Sequence, residues 1–247
     1  MRRERVAVRL RPDPAGAPQR PLGPGDCAVV IDVLRATTSL TIALHHGARG
    51  VIPFESTGEA LACRDREADV LACGEREGRI VPGFDLGNSP FEYTAERVAG
   101  KRLAFASTNG SRVMREAGRA GRRLLAAFVN AAAVVDALAG QRDVVILCAG
   151  KLVDFCLEDA ACAGLLCARL ESRGARMRGA GARLARALAP ATREEVRALV
   201  EGSSHGRYLR SLGPAFARDV ASCAELDSID RAFELGGLEQ AISMPRP

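Results

Sequence analysis

The chain contains no tryptophan and only two tyrosines, and all of its cationic side chains except Lys101 and Lys151 are arginine. Surfaces that stack nucleic-acid bases on aromatic rings therefore have little to work with. Basic residues are scattered among 30 carboxylates instead of forming one stripe, so the net charge of +5 does not signal a nucleic-acid partner. No apolar run approaches the roughly 18 residues of a membrane span. The start MRRERVAVRL has neither the apolar stretch nor the small-residue cleavage site of a secretory signal. A cytoplasmic protein with no membrane partner is expected. The eight cysteines include no CxxC pair and several lie in apolar runs, which predicts reduced, buried thiols in place of disulfides or a thiolate metal cluster.

What the sequence does have is alternation. Short runs rich in Val, Ile and Leu at residues 6–10, 28–31, 50–54, 103–106, 124–128 and 144–147 read as strands, and helical periodicity follows at 37–46, 57–67, 110–118, 131–138 and 158–173. Such βα units predict an α/β fold, three-layer α/β/α with a mainly parallel sheet. Beyond about residue 174 the composition turns to Ala, Arg and Leu, broken at Pro190 and Pro214, so a helical C-terminal portion without further strands is expected. The whole of 1–247 is read as one domain, with an α/β core over about 1–173 and helices over about 174–247. Five Pro and three Gly at 12–25 predict a surface loop, and four Gly and two Pro at 74–93 predict a long, ordered loop with a role.

Ligands of open α/β sheets bind beyond the carboxyl ends of strands, near helix N-termini. Polar residues concentrate there: Asp32, Arg35, Thr37 and Thr38 after one strand, Ser107, Thr108, Asn109, Gly110 and Arg112 after another, Asn130 after a third and Cys148–Gly150 after a fourth. Asp32 ends four apolar residues, so it can project from a strand tip as a metal ligand or nucleophile. Arg35 offers a planar fork for an oxyanion, and Thr37, Thr38, Thr108, Asn109, Gly110 and Arg112 can build an anion cradle. Simple helix capping explains the threonines equally, but not Asp and Arg together. The segment GEREG at 74–78 supplies Glu75 and Arg76, and GFDLGNSPFEY at 83–93 interleaves Phe with Asp, Asn and Glu as a folded lid would. Glu158 and Asp159 open a helix, where they cap it or bind a metal; His205 is a candidate acid or a surface residue.

Taken in order, VVIDVLRATTSL at 29–40, GEREG with GFDLGNSPFEY, STNGSR at 107–112 and CAG with LEDAACAG at 148–164 resemble the 2-phosphosulfolactate phosphatases. SSHG at 203–206 and the stretch 219–227 are similar more loosely. The resemblance implies a Mg²⁺-dependent phosphatase that converts 2-phospho-3-sulfolactate to 3-sulfolactate and phosphate, as in coenzyme M biosynthesis. By motif match it carries function onto Asp32, Arg35, Glu75, Arg76, Asn109 and Asp159. It implies that Asp32 with Glu75 or Asp159 holds Mg²⁺, while Arg35 or Arg76 meets the charge of the transition state. The chain departs from the family pattern at Leu152, Val153 and Asp154 and in carrying FCLED after them.

Asp32 has no second Asp two residues on, and Cys27 and Cys148 have no Arg six residues on, so two covalent phosphatase signatures are missing. Attack by Asp32 and attack by metal-activated water both stand open. The rival readings are a phosphatase of another small 2-phospho acid, a non-catalytic anion-binding protein, and a hydrolase using Asp32 and Cys148. Oligomeric state is not encoded in any visible motif, and a homodimer is compatible with the sequence.

Overall fold

The computed structural model describes residues 4–10, 20–151, 154–235 and, as backbone, 241–244. Most of the 12–25 loop, together with Leu152 and Val153, lies outside the described residues. Strand β2 (Cys27–Ile31) is fully buried, which fits a central parallel strand that is apolar on both faces. It pairs in parallel with β7 (Arg122–Ala126) and β8 (Asp143–Cys148). Beyond β8 come β1 (Arg5–Arg9) and the edge strand β9 (Arg176–Arg178), also parallel. On the other side, β10 (Ala232–Leu235) runs antiparallel to β7 and β11 (Ala241–Met244) antiparallel to β10.

A second, smaller sheet has the order β3 (Gly50–Pro53), β6 (Arg102–Ala106), β4 (Val70–Arg76), β5 (Arg79–Ile80), parallel except for β5. Helices α1 (Ala36–His45) and α4 (Gly110–Ala117) lie between the two sheets. Leu40, Ala43, Val113 and Met114 share one apolar cluster with Ala28 and Val30 of the larger sheet and Leu103 and Phe105 of the smaller. The opposite face of the larger sheet is covered by α5 (Ala131–Ala137), α6 (Leu157–Ser172) and α7 (Gly179–Ala187), which bury Val29 and Ile31 from the other side. Helix α2 (Thr57–Arg66) closes the outer face of the smaller sheet through Ala60 and Cys63.

The expected α/β/α layering with mostly parallel strands is present, and α8 (Arg193–Gly202), α9 (Ser204–Ser211) and α10 (Pro214–Cys223) follow as expected. Two expectations are corrected. Segment 74–93 is not one loop, because β4 continues through Glu75 to Arg76 and turns back into β5. The small residues of VLACGER give a weak strand signal, which pairing with β6 overrides. Strands β9, β10 and β11 occur beyond residue 174; they are three, four and four residues long, and RMR at an edge carries no alternation to detect. No helix among the described residues is long and apolar enough to cross a membrane. All eight cysteines are buried and free, as predicted.

Candidate active site

A cavity of about 610 Å³ opens where the carboxyl ends of strands from both sheets meet. Its walls come from the β2 tip (Asp32, Arg35), the β4–β5 hairpin (Glu75, Arg76, Gly78) and the β6 tip (Thr108, Asn109), with Lys151 after β8 and His205 and Tyr208 on α9. Asp32, Arg35, Glu75, Arg76, Thr108 and Asn109, all predicted from sequence, therefore share one wall system.

The turn after β2 holds its shape through its own hydroxyls. Thr37 Oγ1 accepts from the Asp32 amide at 3.0 Å and donates to the Asp32 carbonyl at 2.9 Å, and Thr38 Oγ1 donates to the Val33 carbonyl at 2.9 Å. Both threonines are fully buried and do not line the cavity, so they shape the turn and do not touch an anion. Arg112 is also placed elsewhere: it lines a separate cleft with Glu55, Arg115 and Arg119. Helix geometry explains this, since Arg112 sits two residues into α4 on the side away from Asp32 while Gly110 lies against it. A Cβ at Gly110 would come within 2.8 Å of Asp32 Oδ2, so glycine here leaves room for the carboxylate.

Asp32 is almost wholly buried. Burial raises its pKa to about 7, helped by the negative charges of Glu75 and Glu158 and opposed by the Ala36 amide and the Arg35 cation. Glu75 is fixed at both oxygens, Oε1 accepting from the Thr108 amide at 2.9 Å and Oε2 from the Gly78 amide at 2.7 Å. It thereby ties the hairpin of the smaller sheet to the β6 tip. Gly74 precedes it at φ +133, where a Cβ would lie 2.0 Å from the Ala106 carbonyl oxygen; only glycine permits this approach. Arg76 donates to the carbonyls of Glu75 and Glu55, both at 2.8 Å, which orients its fork along the cavity wall. Arg35 forms a buried ion pair with Asp219 and donates to the Gly78 carbonyl.

The two acidic residues that open α6 differ. Asp159 accepts from the Val33 amide at 2.9 Å through Oδ1 and from the Gly150 amide at 3.1 Å through Oδ2, stapling the β2 and β8 tips together. Burial, then Asp32 and Glu158, push its pKa well up, against the pull of those two amides. Glu158 is 1% exposed and neither carboxylate oxygen accepts a hydrogen bond. His205 Nδ1 lies 3.4 Å from Glu158 Oε1, and the ligand atoms of Cys156, Glu158 and His205 all fall within 4.8 Å of one another. Cys148, the nucleophile of one rival reading, is fully buried, and burial pushes its thiol well above the ordinary range, so no thiolate is on offer.

Sequence reasoning named Glu158 only beside Asp159, as a cap or metal ligand, and gave no role to Lys151, Tyr208 or Asp219. Lys151 had a usable signal, one of two lysines in an arginine-rich chain and directly after the CAG block. Its ammonium lies 4.0 Å from the Tyr208 ring centroid, a cation–π contact at the cavity mouth. Asp219 lay only in a loosely similar stretch, and its role was not visible because it depends on a partner 184 residues away.

A family model described as 2-phosphosulpholactate phosphatase matches residues 14–236. A "Probable 2-phosphosulfolactate phosphatase" of Thermotoga petrophila is 42% identical over 212 residues, which span 84% of this chain and 88% of that protein. Proteins of the same name from Thermotoga maritima and Gloeobacter violaceus are 40% and 41% identical, over 84% and 85% of this chain and 88% of each relative. Most of the length is matched on both sides, and the matched span contains every cavity residue described above. The chain belongs to the 2-phosphosulpholactate phosphatase family, a family of phosphoric monoester hydrolases.

Proposed function

We propose that this chain hydrolyses 2-phosphosulfolactate to 3-sulfolactate and phosphate with the help of Mg²⁺, a step of the coenzyme M biosynthesis type. One observation carries it most directly. In a family of phosphatases, three carboxylates (Asp32, Glu75, Glu158) and three cations (Arg35, Arg76, Lys151) meet at or beside one cavity, and the most buried carboxylate has no hydrogen-bond donor. A buried carboxylate that accepts no hydrogen bond is costly, and a divalent cation relieves that cost.

The donor set fits a hard cation. Asp32 and Glu158 would hold it through oxygen, whereas Glu75 and Asp159 each already accept from two backbone amides and serve better as staples around them. Cys156 and His205 stand beside Glu158 as softer donors, so Mn²⁺ and Co²⁺ suit the same place. A bound Mg²⁺ would supply charge neutralisation at the phosphate oxygens and a more acidic water. The chain's own groups do the rest. Arg35 and Arg76 present forks to the anionic oxygens, Thr108 and Asn109 line the turn where the phosphate enters, and Lys151 at the mouth faces the remaining acidic groups of a substrate that carries phosphate, carboxylate and sulfonate. Water attacks phosphorus, the bond from phosphorus to the C2 oxygen breaks, and that oxygen takes up a proton. A substrate so highly charged does not cross a membrane unaided, so we place the activity in the cytoplasm.

The test is phosphate release from 2-phosphosulfolactate by the purified protein, with and without Mg²⁺, Mn²⁺ or Co²⁺. Release that depends on the metal is expected. No release with any of the three overturns the proposal, and release of phosphate from a 2-phospho acid lacking the sulfonate at equal kcat/KM overturns the substrate assignment.

A further inference from the structure

We infer that Asp219, on α10, is a positioning residue: through Arg35 it aims the cationic fork of the cavity, and through Ser89 it holds the Asn88 loop against the same cavity. The inference rests on the proposed engagement of a substrate anion by Arg35.

Asp219 is 2% exposed and uses its two oxygens on two different parts of the site. Oδ2 pairs with Arg35 Nη1, and Oδ1 accepts from Ser89 Oγ at 2.6 Å. Arg35 Nη2 donates to the Gly78 carbonyl, and its guanidinium carbon lies 5.2 Å from the centroid of Phe216, one turn before Asp219 on the same helix. A guanidinium has five N–H bonds in a rigid plane. Once Asp219, Gly78 and the Phe216 face fix that plane, the donors left over can point only where the plane allows. Arg35 is 4% exposed yet lines the cavity, so the remaining donors address the cavity and not bulk water.

The second oxygen matters as much. Ser89 follows Asn88, a cavity residue whose carbonyl accepts from Ser39 Oγ at 2.8 Å on α1 and whose buried side-chain oxygen accepts nothing. The loop is thus held from two sides, by Ser39 at one residue and by Asp219 at the next. Removing the Asp219 carboxylate frees both the fork and the loop, which makes it a shared anchor.

The experiment is a double-mutant cycle on the full chain: wild type, Arg35→Gln, Asp219→Asn and the double variant, with Ser89→Ala alongside. Two readouts are taken in the presence of Mg²⁺: Kd for inorganic phosphate by calorimetry, and kcat/KM for 2-phosphosulfolactate. If Asp219 acts through Arg35 and Ser89, Asp219→Asn weakens phosphate binding and lowers kcat/KM about tenfold or more, and the double variant is worse than Arg35→Gln alone by no more than the loss shown by Ser89→Ala, since coupled residues are not additive. Asp219→Glu recovers part of the loss. Ser89→Ala, which removes only the Oδ1 contact, raises KM several-fold with kcat retained and the melting temperature unchanged. Additive losses, or wild-type phosphate affinity in Asp219→Asn, overturn the inference. Should Asp219→Asn fail to fold, Asp219→Glu takes its place in the cycle with Arg35→Gln, and additivity there overturns it equally. A wild type that binds phosphate but releases none from 2-phosphosulfolactate refutes the function while the phosphate affinities still decide the role of Asp219. A wild type that turns over substrate without binding phosphate overturns the role of Asp219 alone.

Discussion

Glu158 and Asp159 are neighbours in sequence, both buried, and opposite in bonding: Asp159 accepts from two backbone amides and Glu158 from nothing. The first pattern is structural, and the second goes with the metal-binding role proposed for Glu158. Asp159→Asn turns one acceptor into a donor facing an amide, so it should lower stability by about 2 kcal/mol, readable as a fall of several degrees in melting temperature. Glu158→Gln should leave melting unchanged or raise it, and should lower turnover at least about a hundredfold. Equal effects of the two substitutions on both readouts would refute this division.

Asp32 gives a pH prediction. Its folded pKa, about 7, lies above the ordinary aspartate value of 3.8 because of burial and the neighbouring acids. A raised carboxyl contributes stability below the unfolded value, and that contribution is lost as pH rises through the folded one. In chelator, the melting temperature should therefore decline between about pH 4 and 7. In Asp32→Asn this part of the slope should vanish, and at pH 8 the variant should melt higher than the wild type while losing at least about a hundredfold in turnover. A wild-type melting curve flat across that range would contradict the assignment.

Gly110→Ala puts a methyl group 2.8 Å from Asp32 Oδ2 and equally close to Ala36 Cβ. The carboxylate must move, so kcat should fall about tenfold or more, given how steeply catalysis depends on sub-ångström placement. Steady-state kinetics alongside a melting curve separates displacement from unfolding, and unaltered kcat would sink the steric argument.

The two arginines set apart by the structure should separate in an assay. Arg76→Ala removes a fork from the cavity wall and should raise KM about tenfold. Arg112→Ala, in a different cleft, should leave kcat and KM within about twofold, as surface changes usually do. The opposite ranking would return Arg112 to the binding site.

Strand and helix positions around β2, β6, β7 and β8 were legible because buried parallel strands and the helices after them leave strong, distinct periodicities. The same signal cannot assign strands to sheets, so the split into two sheets went unseen. Motif position located Asp32, Arg35, Glu75 and Asn109 at the cavity. It did not separate Thr37, Thr38 and Arg112 from it, since a strand-tip segment alternates between cavity-facing and core-facing residues within a single turn. Glu158 and Asp159 look alike in sequence; only the approach of the Val33 and Gly150 amides tells them apart.

The bond between Arg35 and Asp219 spans 184 residues. Every sheet strand from β1 to β9 is complete before α9 and α10 are made, yet the cavity lacks His205, Tyr208 and the anchor of its arginine until they arrive. Domains form largely as their chain emerges, and contacts this distant in sequence close late. Competence therefore waits on the C-terminal helices: a nascent chain whose strands β1 to β9 have formed holds a cleft that still lacks the anchor of its arginine.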